Sequence, residues 1–344
     1  MDPPAYRLEG LELDGGWTVC ARLELGPHAT GANFSCGYRI VGKDGKTAFL
    51  KALDFSRAFS APDPARALQS LTEAYNFERN LLAMCTTRRM DRVVQAISDG
   101  KVKVDDTTLG TVQYLILECG DCDIRTQLSL VSRIETAWKL RSLHHIATGL
   151  GQLHGSSIAH QDLKPSNVVV FDGTKSKISD LGCASVRGST GPRDHLTFAG
   201  DPAYAPLETL YGYVDPEWNL RRLGCDLYLL GSMVVFFFTG LTMTALVSTY
   251  LNPGHHWRNW DGAYADVLPY VREAFRRAME SFGDHIQNAR LREELKLIVR
   301  QLCDPDPKLR GHPLNRRGVS NPAAVERYVS SFDLLARKAE VGIF

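Results

Sequence analysis

The stretch His160-Gln161-Asp162-Leu163-Lys164-Pro165-Ser166-Asn167, with Asp180-Leu181-Gly182 shortly after it, decides how this chain is read. A polar loop feeds the apolar run Val168-Val169-Val170, Asp172-Gly173 supplies a turn, and a second strand ends at Asp180. A β-hairpin of this kind is expected to bring Asp162, Asn167 and Asp180 to one edge. Two carboxylates and an amide oxygen make a hard-oxygen site suited to magnesium, which keeps several waters and takes phosphate as its other ligand. Lys164 adds a cation beside Asp162. This is a set of groups for moving a phosphoryl group.

A length of 344 residues suggests about two domains. With 44% hydrophobic and 23% charged residues the chain has the makings of an ordinary soluble core. A formal net charge of +1 argues against a general nucleic-acid binder. The polar, acidic start MDPPAYRLEGLELDGG lacks a secretory pattern, and the eight scattered cysteines suit reduced thiols in a cytoplasm. Cys119-Gly120-Asp121-Cys122 is a lone C-x-x-C at an expected turn, with no second pair to complete a zinc site. The run from Leu227 to Leu251 is long enough to be weighed as a membrane span. Its Ser, Thr and Gly content fits one continuous core helix and its following turn equally well, and no membrane partner is expected.

Upstream of the loop the pattern is β-rich. In residues 17–25, Trp17, Val19, Ala21, Leu23 and Leu25 alternate onto one face, as in a half-buried strand. Phe34 to Val41 and Thr47 to Leu53 read as two more strands joined by Lys43-Asp44-Gly45-Lys46, where Asp-Gly signals a tight hairpin. A loop with Pro62 and Pro64 precedes a helix to about Cys85, and further strands are expected at Arg92–Ile97 and Val112–Leu117. After Cys119 helical spacing takes over: Leu140, Leu143, Ala147, Leu150 and Leu153 mark a helix leading into His160. More helices are expected near 227–250, 265–282, 288–303 and 322–339. The change near residue 118 divides an N-terminal lobe, 1–118, from a C-terminal lobe, 119–344.

Lys51 lies in the third strand with apolar neighbours on both faces, so its ammonium needs a partner. In the helix before Cys85, Glu78 shares a stripe with Leu71, Tyr75 and Leu82, about 20° from Leu71 at 100° per residue. Glu73 projects from nearly the opposite side, so Glu78 is the expected partner.

The catalytic segment resembles the H-R-D-x-x-x-x-N loop and D-F-G turn of protein kinases, with Gln161 in place of Arg and Leu181 in place of Phe. Lys51 resembles the kinase V-A-I-K lysine, Ala203 to Glu208 the region of the A-P-E motif, and Asp226 the aspartate that opens the long core helix. Arg310 resembles the arginine that pairs with the glutamate at Glu208. The resemblance implies an α+β, bilobal protein-kinase-like fold. Its N-lobe would be small and β-rich with one key helix, and its C-lobe larger and mostly helical.

The same resemblance implies ATP and Mg2+ as cofactors, with Asp162 accepting or orienting the proton of an attacking hydroxyl and Lys164 neutralising the moving charge. Asn167 and Asp180 would hold the metal, Gly182 would give the backbone freedom behind it, and Lys51 with Glu78 would hold the nucleotide phosphates. Backbone at Glu118 and Cys119 would bind adenine. Thr30 to Ser35 falls where a glycine-rich loop belongs but holds one glycine, so Gly31, Phe34 and Ser35 are its phosphate-side residues. The form Asp-Leu-Lys-Pro-x-Asn resembles serine/threonine kinases and implies a protein substrate. A pseudokinase-like binding module and an aminoglycoside-type phosphotransferase are the rival readings. Gln161 carries no charge, so basal activity without loop phosphorylation is expected.

Overall fold

The computed structural model describes residues 2–23, 35–104, 110–130, 135–317 and 321–344, and the chain divides into two compact units, Met1–Asp121 and Cys122–Phe344. In the first, β1 (Glu12–Leu13), β2 (Trp17–Arg22), β3 (Ser35–Gly42), β4 (Thr47–Leu53), β5 (Ala96–Lys103) and β6 (Thr111–Glu118) form one antiparallel sheet in the order β1-β2-β3-β4-β6-β5. Alternation sends Cys36, Tyr38 and Ile40 of β3 and Ala48, Leu50 and Ala52 of β4 into a buried cluster. The β3–β4 register is set by the turn: Gly45 N–H donates to Gly42 O and Gly42 N–H to Lys46 O, each at 2.9 Å. Gly45 takes a φ of +78°, a conformation that glycine adopts without strain. Helix α1 (Pro64–Thr87) starts at Asp63, whose carboxylate accepts the Arg66 N–H, with Pro64 at the first helical position.

Three expectations for this unit need correction. The strand at 17–25 ends at Arg22, and a bulge between Val19 and Ala21 breaks the alternation, so Val19 is buried while Ala21 is exposed. The strand expected at Arg92–Ile97 begins instead at Ala96: the Gln95 side chain donates to Met90 O and Val93 O and holds the preceding segment out of the ladder, with Val93 and Val94 buried. The polar N-terminus also contributes to the core: Ala5, Leu8 and Leu13 join the buried face, and Tyr38 Oη donates to Ala5 O at 2.7 Å.

The second unit contains β7 (Cys122–Asp123), α2 (Ile124–Leu130), α3 (Thr136–His154), β8 (Ile158–Ala159), β9 (Val168–Phe171), β10 (Lys175–Ile178) and β11 (Ser185–Val186). Helices α4 (Leu207–Leu210), α5 (Gly224–Thr239), α6 (Met243–Tyr250), α7 (Tyr264–Asp284), α8 (Ala289–Leu302), α9 (Pro313–Arg316) and α10 (Glu326–Glu340) follow. The β9–β10 hairpin turns at Asp172 (φ +51°) and Gly173 (φ +65°), the mirror-image turn that matches strand twist. The long apolar run is two helices rather than one. Gly240 ends α5 in a left-handed conformation, and Thr242 caps α6 by accepting the Ala245 N–H. Residues Asn219–Thr239 are long and apolar enough to cross a membrane, but most of that stretch is buried inside this unit.

A buried ion pair ties α4 to the chain beyond α8. Arg310 Nη1 and Nη2 meet Glu208 Oε1 and Oε2, both at 2.7 Å, and the guanidinium also donates to Asp304 O and Gly224 O. Burial alone would disfavour the charge, yet Glu208 outweighs it and holds Arg310 above the usual arginine range. Arg310→Met would leave the Glu208 carboxylate buried without its counter-charge. We expect it to lower the free energy of unfolding in urea by about 3–5 kcal/mol. The Arg310→Met/Glu208→Leu double variant is expected to lose less than the two single variants added together.

Candidate active site

The loop between β8 and β9 hangs from Asp226 in the first turn of α5, a side chain that is 0% exposed. Its Oδ2 accepts the His160 N–H at 2.7 Å and lies 2.9 Å from His154 Nε2. Its Oδ1 accepts the Gln161 N–H at 2.8 Å and Gln161 Nε2 at 3.2 Å. These bonds hold Gln161 at a φ of +67°, a conformation that costs a non-glycine residue about 1–2 kcal/mol. His160 packs rather than reacts: its Nε2 faces Ser179 O and its Nδ1 accepts the Asp162 N–H.

Asp162, presented by this loop, is 7% exposed. Its Oδ2 accepts Asn167 Nδ2 at 2.9 Å and lies 3.0 Å from Lys164 Nζ. Its Oδ1 accepts the Asp201 N–H at 2.8 Å. Burial pushes its carboxyl above the usual range; Lys164 opposes the shift and the Asp180 carboxylate adds to it. Lys164 is buried too, which works against its charge, but Asp162, Asp201 and Asp180 together hold its ammonium above the ordinary lysine range.

Asn167 spends its amide nitrogen on Asp162, donating to the backbone oxygen and Oδ2, while its own backbone oxygen accepts the Ser179 N–H. That last bond closes the hairpin beside Asp180, which has a φ of +63° and accepts the Gly182 N–H at 3.4 Å. Asn167 Oδ1 and the Asp180 carboxylate are oxygen donors of the kind magnesium takes. Among the described residues no three His, Cys, Asp or Glu side chains are arranged to hold a metal. Two protein oxygens nevertheless fit a magnesium ion that fills its other positions with water and phosphate. Nearby, Asp201 Oδ2 is buried with no hydrogen-bond partner, 3.7 Å from Lys164 Nζ. Sequence reasoning missed this carboxylate, since nothing around Gly200-Asp201-Pro202 marks it.

In the first unit Lys51 Nζ contacts both oxygens of Glu78, at 2.7 and 2.9 Å. Glu73 is exposed and bonded to Gln69. Ser35 opens β3 opposite Leu53, whereas Gly31 and Phe34 lie outside the described residues. At Glu118 the backbone N–H donates to Gln95 O at 3.0 Å, and the carboxylate accepts the Gln95 N–H. Cys119 is half-buried, and burial pushes its thiol up. Cys119 Sγ faces Gly120 O while Cys122 Sγ faces Gln127, so the two thiols have separate partners.

A model of the protein kinase domain matches residues 43–314, and the chain belongs to the protein kinase family. It is 25% identical over 234 residues to serine/threonine-protein kinase PTK2 of Candida glabrata, covering 61% of this chain and 29% of that protein. It is 28% identical over 204 residues to testis-specific serine/threonine-protein kinase 1 of Mus musculus, covering 55% and 52%. With CBL-interacting protein kinase 26 of Oryza sativa subsp. japonica it shares 28% identity over 171 residues, covering 49% and 29%. The chain therefore spans about half the length of these relatives or less.

Gly200 lies against the loop that carries Asp162. A Cβ there would run into Gln161 O and come within 2.8 Å of Asp162 Oδ1 and Phe198 Cζ. Gly200→Ala is expected to lower stability by about 1–3 kcal/mol through overpacking, read as a reduced denaturation midpoint.

Proposed function

We propose that this chain is an ATP- and magnesium-dependent kinase that transfers the γ-phosphoryl group to serine or threonine hydroxyls of a protein substrate. The observation that carries this reading is the Asp162 carboxylate, buried and oriented by two hydrogen-bond donors, with the Lys164 ammonium at 3.0 Å. Burial makes Asp162 a better proton acceptor than an exposed carboxylate, while its bonds to Asn167 and Asp201 fix its direction. Lys164 stands ready to neutralise charge on the transferring oxygens. Magnesium, when bound, would neutralise further charge on the phosphates, and Asn167 Oδ1 and the Asp180 carboxylate are the residues that would hold it. Lys51, kept oriented by both oxygens of Glu78, would bind the nucleotide phosphates.

The serine/threonine preference is supported by the names of the relatives and by the sequence Asp162-Leu163-Lys164-Pro165-Ser166-Asn167. The net charge of +1 supports a partner other than nucleic acid. The eight free thiols are compatible with a reducing cytoplasm.

The test is incorporation of labelled phosphate from Mg·ATP into a generic protein substrate. Asp162→Ala is expected to lower it by ~10²–10⁴-fold. Asp180→Ala or chelation of the metal is expected to lower it at least as far, with the fold intact by circular dichroism. Full activity in either variant would refute the site, and nucleotide binding with no incorporation by the wild type would identify a binding module instead.

Lys51→Met is expected to cut turnover far more than nucleotide affinity, because an ammonium on the phosphates positions them rather than holding the base. Equal losses in kcat and in nucleotide affinity measured by calorimetry would contradict that role.

A further inference from the structure

Arg222 lies in the π-helical turn Asn219–Leu223 just ahead of α5, and at 2% exposure it is one of the most deeply buried cations of the second unit. A guanidinium removed from water needs an anion and a full set of acceptors. Its Nη2 donates to Asp194 O at 2.9 Å and lies 3.2 Å from Asp194 Oδ1. Its Nη1 donates to Gln161 Oε1 at 3.2 Å, and its backbone oxygen accepts Gln161 Nε2 at 2.8 Å. Gln161 is thus bonded to Arg222 in both directions, a task that needs a donor and an acceptor on one side chain. An arginine at 161 would offer donors only and set a second cation against the first.

The anion side is equally constrained. Asp194 Oδ2 accepts the Gly191 N–H at 2.6 Å, and Arg221 Nη2 reaches Asp194 O and Leu196 O at 3.2 and 2.9 Å. Burial and the neighbouring Arg221 push Arg222 below the usual arginine range, with Asp194 opposing them. The Asp194 carboxylate therefore stands where an uncompensated buried charge would otherwise be. Seven residues on, the chain is tied a second time, through the Asp201 N–H on Asp162 Oδ1.

We propose that Arg222 is a positioning residue that couples the segment 187–198 to Asp162 through Gln161, with the Asp194 carboxylate as its permanent counter-ion. This rests on the kinase reading above and deepens it. The anion that a phosphorylated loop would supply is already part of the chain, so Ser189, Thr190 and Thr197 need no phosphate for the segment to be held.

The full-length chain is treated with phosphatase, its loop is confirmed unmodified by mass spectrometry, and it is assayed beside Asp194→Asn, Asp194→Glu, Arg222→Met and the Asp194→Asn/Arg222→Met double variant. Phosphatase is expected to change activity by less than threefold. Asp194→Asn and Arg222→Met are each expected to lower kcat tenfold or more with KM for ATP unchanged. The double variant should be no worse than the poorer single, and Asp194→Glu should recover most of the loss. Trypsin cleavage after the exposed Arg187 supplies a readout independent of catalysis, expected to quicken several-fold in Asp194→Asn and Arg222→Met. A hundredfold loss on phosphatase treatment, restored by rephosphorylation, would overturn the proposal. So would additive losses in the double variant, or unchanged cleavage in both single variants. If the wild type transfers no phosphate, the kinase reading fails, and the cleavage rates alone decide whether Asp194 and Arg222 anchor the segment.

Discussion

The Asp226 carboxylate is shut away from water, and four nitrogens converge on its two oxygens: the backbone amides of His160 and Gln161, the Gln161 side chain and His154 Nε2. A group so placed has very little freedom, because breaking any of these bonds leaves a buried polar atom unsatisfied. The left-handed backbone of Gln161 persists on that account, and it aims Asp162 at Asn167, Lys164 and Asp201. The order of dependence runs from the core helix α5 to the loop and then to the Asp162 carboxylate. Rigid support of this kind lets a short polar loop hold an alignment suited to chemistry.

What could be read from the sequence was whatever local periodicity or local turn chemistry determines. Glu78 was separable from Glu73 because a helix places every residue on a definite face, and only one of the two shares a stripe with Tyr75 and Leu82. Asp172-Gly173 and Asp44-Gly45 announced their turns because few residues tolerate the conformations required there. The kinase fold was legible on a different ground, the resemblance of His160 to Asn167 and Asp180 to Gly182 to the family's motifs.

What stayed hidden depends on proximity in space. Asp201 reaches Asp162 across 39 residues and Arg222 reaches Gln161 across 61, and no periodicity carries that information. The N-terminal segment reads as polar because Ala5, Leu8 and Leu13 follow neither helical nor strand spacing; they are buried by the sheet they cover. The edge strand β5 was misplaced for a related reason. Its own residues are mostly exposed and polar, so the apolar Val93-Val94 pair just before it drew the expectation upstream.

The Glu208–Arg310 pair joins residues 102 positions apart, and Arg141 of α3 meets Asp333 and Glu340 of α10 across 192 and 199 positions. Both contacts close only after almost all of the second unit has been made. During synthesis α3 and α4 leave the ribosome well before their partners exist, with apolar faces bare and Glu208 lacking its counter-charge. A nascent chain in that state cannot complete its core one helix at a time, and exposed surface of this kind is what aggregates and what chaperones bind. The architecture that fixes Asp162 so firmly in the finished molecule thus makes the second unit dependent on protection until its last helices arrive.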